Sequence, residues 1–102
     1  MYLDLKPNEV VIKAGDTNHL SGDQAVNGKL VLTNQRLYFI TQKNKGVNFD
    51  HEIEYDNISE VLVFNSRRFF PNGLNVVTKD GKEVKFIVKK RNAWCEVINR
   101  MY

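Results

Sequence analysis

Between Gly28 and Ile40 the chain reads GKLVLTNQRLYFI, two short apolar runs joined by the polar link Thr33-Asn34-Gln35-Arg36. Leu30 and Leu32 alternate on the first run, Leu37 and Phe39 on the second. Successive side chains of a strand point to opposite faces, so each run buries one face and the pair reads as a β-hairpin. Thr33 and Asn34 suit the turn, because both bond locally to the backbone and Asn tolerates positive φ. Arg36, the one charge in the link, is expected to set the end of the hairpin. A hairpin needs further strands to cover its apolar face, and the rest of the chain supplies them.

Val10 to Lys13 reads as a first strand, followed by a loop from Asp16 to Gln24, which is rich in turn formers and has no periodicity. Residues 41–47 read as a hairpin loop carrying Lys43 and Lys45. His51, Ile53 and Tyr55 alternate with Asp50, Glu52 and Glu54, giving a strand with one acidic, solvated face. The stretch from Asp56 to Ser59 reads as a turn anchored by Ile58. The continuous run from Val61 to Phe64 reads as a strand covered on both sides for part of its length, and Asn65 to Gly73 as a loop turning at Pro71-Asn72-Gly73. Leu74–Thr78 and Glu83–Val88 flank Lys79-Asp80-Gly81-Lys82, and Asp-Gly there predicts a type I′ turn. Trp94, Val97, Ile98 and Met101 then fall on one stripe of a helix, with Asn92 as its expected N-cap.

At 102 residues, 42% of them hydrophobic and 11% aromatic, the chain has material for one core and little for a deep two-domain cleft. The expected layout is one domain over residues 1–102, with an N-terminal extension at 1–7 and a capping helix at 92–102. The formal charge of +3 is a mild excess, and basic residues are interspersed with acids. Neither a basic stripe nor an interleaved aromatic platform is present, which argues against nucleic acid as the partner. One cysteine, Cys95, excludes an intrachain disulfide and fits a reducing, cytoplasmic setting. No stretch reads as a signal peptide or membrane span.

The segment G-K-L-V-L-T-N-Q-R-L-Y-F at Gly28–Phe39 resembles the G-x-L-x-L-T-x-x-R-L-x-F core of GRAM domains, of the pleckstrin-homology-like (PH-like) superfold. The resemblance continues in E-x-V at Glu9–Val11, I-x-x-V at Ile58–Val61, L-x-V-x-T-x-D-G-K-E at Leu74–Glu83, F-x-V at Phe86–Val88, and the helix carrying Trp94. It implies a mainly β fold: a seven-stranded antiparallel sandwich, or partly open barrel, capped by one C-terminal helix. It also implies a non-catalytic adaptor that binds anionic lipids such as phosphoinositides, peptides or protein partners.

Lipid-binding relatives of that superfold hold the headgroup with Lys and Arg around the first strand pair. Here the stretch from Asp16 to Asn27 carries Asp16, Asp23 and His19 and neither Lys nor Arg, with Lys13 and Lys29 just outside it. That departure counts against a phosphate cradle and favours a protein partner or self-association, with an anionic membrane surface as the alternative. The candidate contact residues are Arg67, Arg68, Phe69 and Phe70 together with Lys89, Lys90 and Arg91 at the strand-to-helix junction. Arginines beside aromatics suit either an interface hot spot or a membrane interface. Lys43, Lys45, Lys79 and Lys82 form a secondary basic set, expected at the opposite end and read mainly as solubilising charge. Against catalysis, His19 and His51 lie far apart in sequence and Cys95 has no evident base. No P-loop, nucleophile elbow or metal-ligand spacing occurs, so no catalytic residue, cofactor or metal is expected.

Overall fold

The structure is a computed structural model, describing residues 4–21, 24–41, 50–66 and 70–102, with backbone alone at Ser66, Phe70 and Pro71. Its strands are β1 (Val11–Ser21), β2 (Gln24–Thr33), β3 (Arg36–Thr41), β4 (His51–Glu54), β5 (Ile58–Ser66), β6 (Phe70–Thr78) and β7 (Glu83–Val88). A 3-10 turn, Tyr55–Asn57, separates β4 from β5, and one helix, α1 (Arg91–Asn99), follows β7. All strand pairs are antiparallel, in the spatial order β4-β3-β2-β1-β7-β6-β5. The sheet curls into a half-barrel closed at one end by α1, as the sequence implies.

The Gly28–Ile40 hairpin forms as read, with Leu30 opposite Phe39 and Leu32 opposite Leu37. All four are at most 1% exposed and enter one cluster with Leu74, Val76, Phe86, Trp94 and Ile98. Burying each such side chain contributes roughly 1.5–3 kcal/mol, so this seam anchors the fold. Gly28 is required there: a Cβ would collide with the Ile40 carbonyl oxygen and the Phe39 ring.

Several boundaries differ from the sequence reading. Asp16 to Ser21 is strand rather than loop, and Gln24 opens the next strand: β1 and β2 stay in register from Ala14–Val31 to Ser21–Gln24, while residues 22–23 of the expected loop lie outside the described residues. The inward residues there are Thr17 and His19, polar groups that leave no hydrophobic period. Thr17 Oγ1 donates to the Ile87 carbonyl, and His19 Nδ1 lies 3.0 Å from the Lys85 carbonyl, so each is satisfied on β7.

The run Val61–Phe64 is not covered on both sides. It lies in β5, the last strand of the sheet, with Leu62 44% and Val63 49% exposed. Pro71-Asn72-Gly73 is not a turn but the start of β6, beside a register shift between Phe64 and Ser66. The β7 ladder begins only at Gly73, so Pro71 sits where β7 asks no hydrogen bond of it.

The Asp80-Gly81 turn is not type I′. Gly81 alone has positive φ, at 89°, with Gly81 N donating to Thr78 O and Thr78 N to Lys82 O. That is a type I turn closed by a glycine bulge. Asn92 is not the N-cap: Lys90, at φ 55°, is the cap residue, and Asn92 lies inside the first turn.

Candidate functional site

The end of β7 and the start of α1 bring Lys89, Lys90 and Arg91 together, and the three do different work. Arg91 Nη1 donates to the Phe64 carbonyl at 2.8 Å and to Asn65 Oδ1 at 3.1 Å, tying the helix start to the end of β5. Its guanidinium is thus committed to structure. Lys89 and Lys90 are exposed. Lys13, on β1, adds a third cation nearby: its Nζ stands 5.2 Å from the centroid of the Trp94 ring, one turn into α1.

Beside this junction lies a cavity of about 500 Å³. Asp16 and Asn18 of β1, Asn27 of β2 and Asn72 of β6 line it, with Lys89 at the start of the junction. The register explains the grouping, since Asn18 faces Asn27 on one side and Ile87 on the other. Three amides offer both donors and acceptors, and Asp16 accepts only. With an ammonium adjoining, the lining suits a small ligand with several hydroxyls and an anionic group. Asp16, expected in an acidic loop, instead sits in a strand opposite Lys29. The carboxylate counted against phosphate binding therefore has a cation as its cross-strand neighbour.

On the inner face of β1, one residue beyond Asn18, His19 meets His51 although 32 residues separate them, with Nε2 to Nε2 at 2.8 Å. His19 stacks obliquely on Phe39 and Phe86. Its Nδ1 faces a carbonyl and must carry a hydrogen, so its Nε2 accepts from His51 Nε2–H. Burial lowers the pKa of both rings, and for His51 the neighbouring His19 lowers it further. Lys79 and Lys82 are exposed on the β6–β7 turn. No period in the sequence links the two histidines; the curled run β4-β3-β2-β1 brings them together.

Arg36 is structural, as its place in the hairpin suggests. It is 5% exposed, with Nε 2.9 Å from Glu9 Oε2 and Nη2 3.1 Å from Glu9 Oε1. Nη1 also bonds Glu52, so the acidic face of β4 is in part an ion-pair partner rather than only a solvated surface. Hydrogen bonding from Arg36 holds the Glu9 carboxyl down at about 2, and burial pushes the Tyr55 phenol up to about 12.

Arg67, Arg68 and Phe69, and Lys43 and Lys45, lie outside the described residues; Phe70 opens β6, its backbone opposite Ser66. Among the described residues no group of three or more His, Cys, Asp and Glu converges as a metal site. Cys95 is half-buried, with Asn99 Nδ2 3.5 Å from its sulfur, and packs against the core.

A GRAM domain family model matches residues 1–100. The chain belongs to the GRAM domain family. No curated protein sequence matches it. Among solved structures, this GRAM domain resembles the C-terminal domain of an unknown protein from Leishmania infantum (TM-score 0.77, 18% identity, 93% of this chain and 86% of that one). It also resembles the N-terminal PH domain of human ARAP2 (0.70, 20%, 87% and 76%). A third is the Slm1 PH domain solved in complex with inositol 4-phosphate (0.67, 14%, 89% and 96%). At these identities the likeness establishes the PH-like fold alone. Among the described residues no helix is long and apolar enough to cross a membrane.

Proposed function

We propose that this GRAM domain is a recruitment module for anionic membranes, taking a phosphorylated polyol headgroup of the inositol-phosphate type. The ring hydroxyls bond the amides of Asn18, Asn27 and Asn72, while Lys89 and Lys90 neutralise the phosphate. The observation that carries this reading is the amide-lined cavity beside two exposed lysines. Kinship of fold with a PH domain solved with inositol 4-phosphate supports it. Placing Asp16 opposite Lys29 removes part of the objection drawn from an acidic first loop.

Titration with soluble inositol 4-phosphate, followed by amide chemical shifts, tests it. Shifts are expected at Asn18, Asn27, Asn72 and Lys89, weakened about tenfold or more in Lys89→Glu by loss of one charge-assisted contact. Inorganic phosphate and unphosphorylated inositol serve as the comparison arms. Shifts confined to the β6–β7 turn would place the ligand elsewhere and sink the proposal.

Self-association is the second reading. It rests on β5, an edge strand with Leu62 and Val63 exposed, which presents backbone for pairing with another strand.

A further inference from the structure

Among the described residues, β1 has a strand partner on both sides from Thr17 to Leu20, and from Val11 to Asp16 it is paired with β2 alone. At the start of that margin stand three consecutive apolar residues, Val10 just before the strand and Val11 and Ile12 within it, which are 61%, 44% and 50% exposed. Ile12 falls where the β1–β2 register shifts between Val11 and Lys13, so the regular alternation of faces lapses there and the three side chains form one exposed apolar step.

We infer that Val10–Ile12 is a ledge that enters the interfacial zone of an anionic bilayer while the adjoining cavity holds a headgroup. This rests on the membrane reading above and deepens it by naming the contact surface. The ledge is continuous with the candidate site: Lys13 follows it directly and stands over Trp94, and Asp16 and Asn18 line the cavity further along the same strand. Lys13 thus lies between apolar contact and headgroup site along β1, and Lys89 lines the cavity itself, where a negative surface attracts them. Glu9, the carboxylate beside the ledge in sequence, is buried and paired with Arg36, so it presents little charge to oppose that attraction. Polar backbone is also provided for at the tip. Val10 N–H donates to Asn34 Oδ1 at 2.8 Å, and its carbonyl accepts from Asn34 N–H at 3.0 Å. Entry of Val10 into a zone poor in water therefore strands no backbone group.

The test compares wild type with Val11→Ser/Ile12→Ser in flotation with phosphatidylcholine vesicles carrying phosphatidylserine and phosphatidylinositol 4-phosphate. Soluble inositol 4-phosphate binding is measured alongside. The expected result is a loss of roughly tenfold or more in vesicle partitioning, from withdrawing two large apolar side chains, with soluble-headgroup binding unchanged. Equal flotation of the two proteins, with headgroup binding intact, overturns the ledge and spares the headgroup site. Wild type that binds neither vesicles nor soluble headgroup overturns both. A wild-type dimer that the double variant abolishes, without vesicle binding, assigns the ledge to self-association and overturns it. A direct probe uses Val11→Cys in a Cys95→Ser background, labelled with an environment-sensitive dye. Its emission should shift to the blue on adding anionic vesicles, and an unchanged spectrum contradicts insertion.

Discussion

His19 and His51 share one hydrogen between their facing nitrogens, and that sets the sign of their effect on stability. Both rings have folded-state pKa values below the ordinary 6.5, chiefly through burial, so the unfolded chain binds protons that the folded chain refuses. The pair's contribution is fully present above about pH 6.5 and drains away as pH falls toward the lowered folded values. A second proton also sets two N–H groups against each other at 2.8 Å. The urea midpoint should therefore fall between pH 7.5 and pH 5.5, with a shallower dependence in His51→Gln; a flat profile in wild type would contradict the geometry. The Glu9–Arg36 pair acts in a lower window. Its carboxyl is held at about 2 against an ordinary 4.5, so its contribution is complete above 4.5 and is lost as pH falls toward 2. Glu9→Gln leaves a buried guanidinium short of one counter-charge and should cost about 3 kcal/mol at neutral pH, since breaking buried pairs typically costs that much. Glu52, the remaining partner, is far more exposed. A loss under about 1 kcal/mol by denaturant titration would show that Glu52 suffices.

Among the elements, those with a clean hydrophobic period were legible from residues alone: Leu30, Leu32, Leu37 and Phe39 form the inner row of the β2–β3 hairpin, and Trp94 and Ile98 the buried stripe of α1. The second half of β1 was not legible, because its inward positions are Thr17 and His19, whose burial depends on acceptors supplied by β7, some 66 to 70 residues away. Asp-Gly announced the β6–β7 turn but not its class, which depends on where the ladder stops. The junction before α1 carries a testable strain. Lys90 adopts φ 55°, ψ 52°, a conformation that glycine takes without a Cβ penalty. Lys90→Gly should therefore stabilise the domain by roughly 1 kcal/mol, less what is lost to a more flexible unfolded chain. The same change removes a cation from the proposed membrane face and should weaken flotation with anionic vesicles. Stability and binding moving in opposite directions is the signature; a parallel loss of both would mean that the side chain supports the junction.

At the scale of the whole molecule, the scaffold was readable and the site only in fragments. Lys89 and Lys90 stand out in the sequence as charges, but Asn18, Asn27 and Asn72 become a lining only when β1, β2, β6 and β7 lie side by side. Polar residues on separated strands carry no shared period, so their convergence is a property of topology. The same topology makes α1 part of the core rather than an appendage. Trp94 is 4% exposed and Ile98 fully buried, in one cluster with residues of β2, β3, β6 and β7. For a chain of this size, total stability of about 5–15 kcal/mol leaves little room for a helix that detaches while the sheet persists. Trp94 is the only tryptophan, so its fluorescence reports the helix and far-ultraviolet dichroism reports mainly the sheet. The two thermal transitions should coincide. Ile98→Ala, which opens a cavity at the helix–sheet seam at a cost of about 2–5 kcal/mol, should lower both together. A fluorescence transition that precedes the dichroic one would mean that the cap opens first, leaving the half-barrel standing with its core exposed at that end.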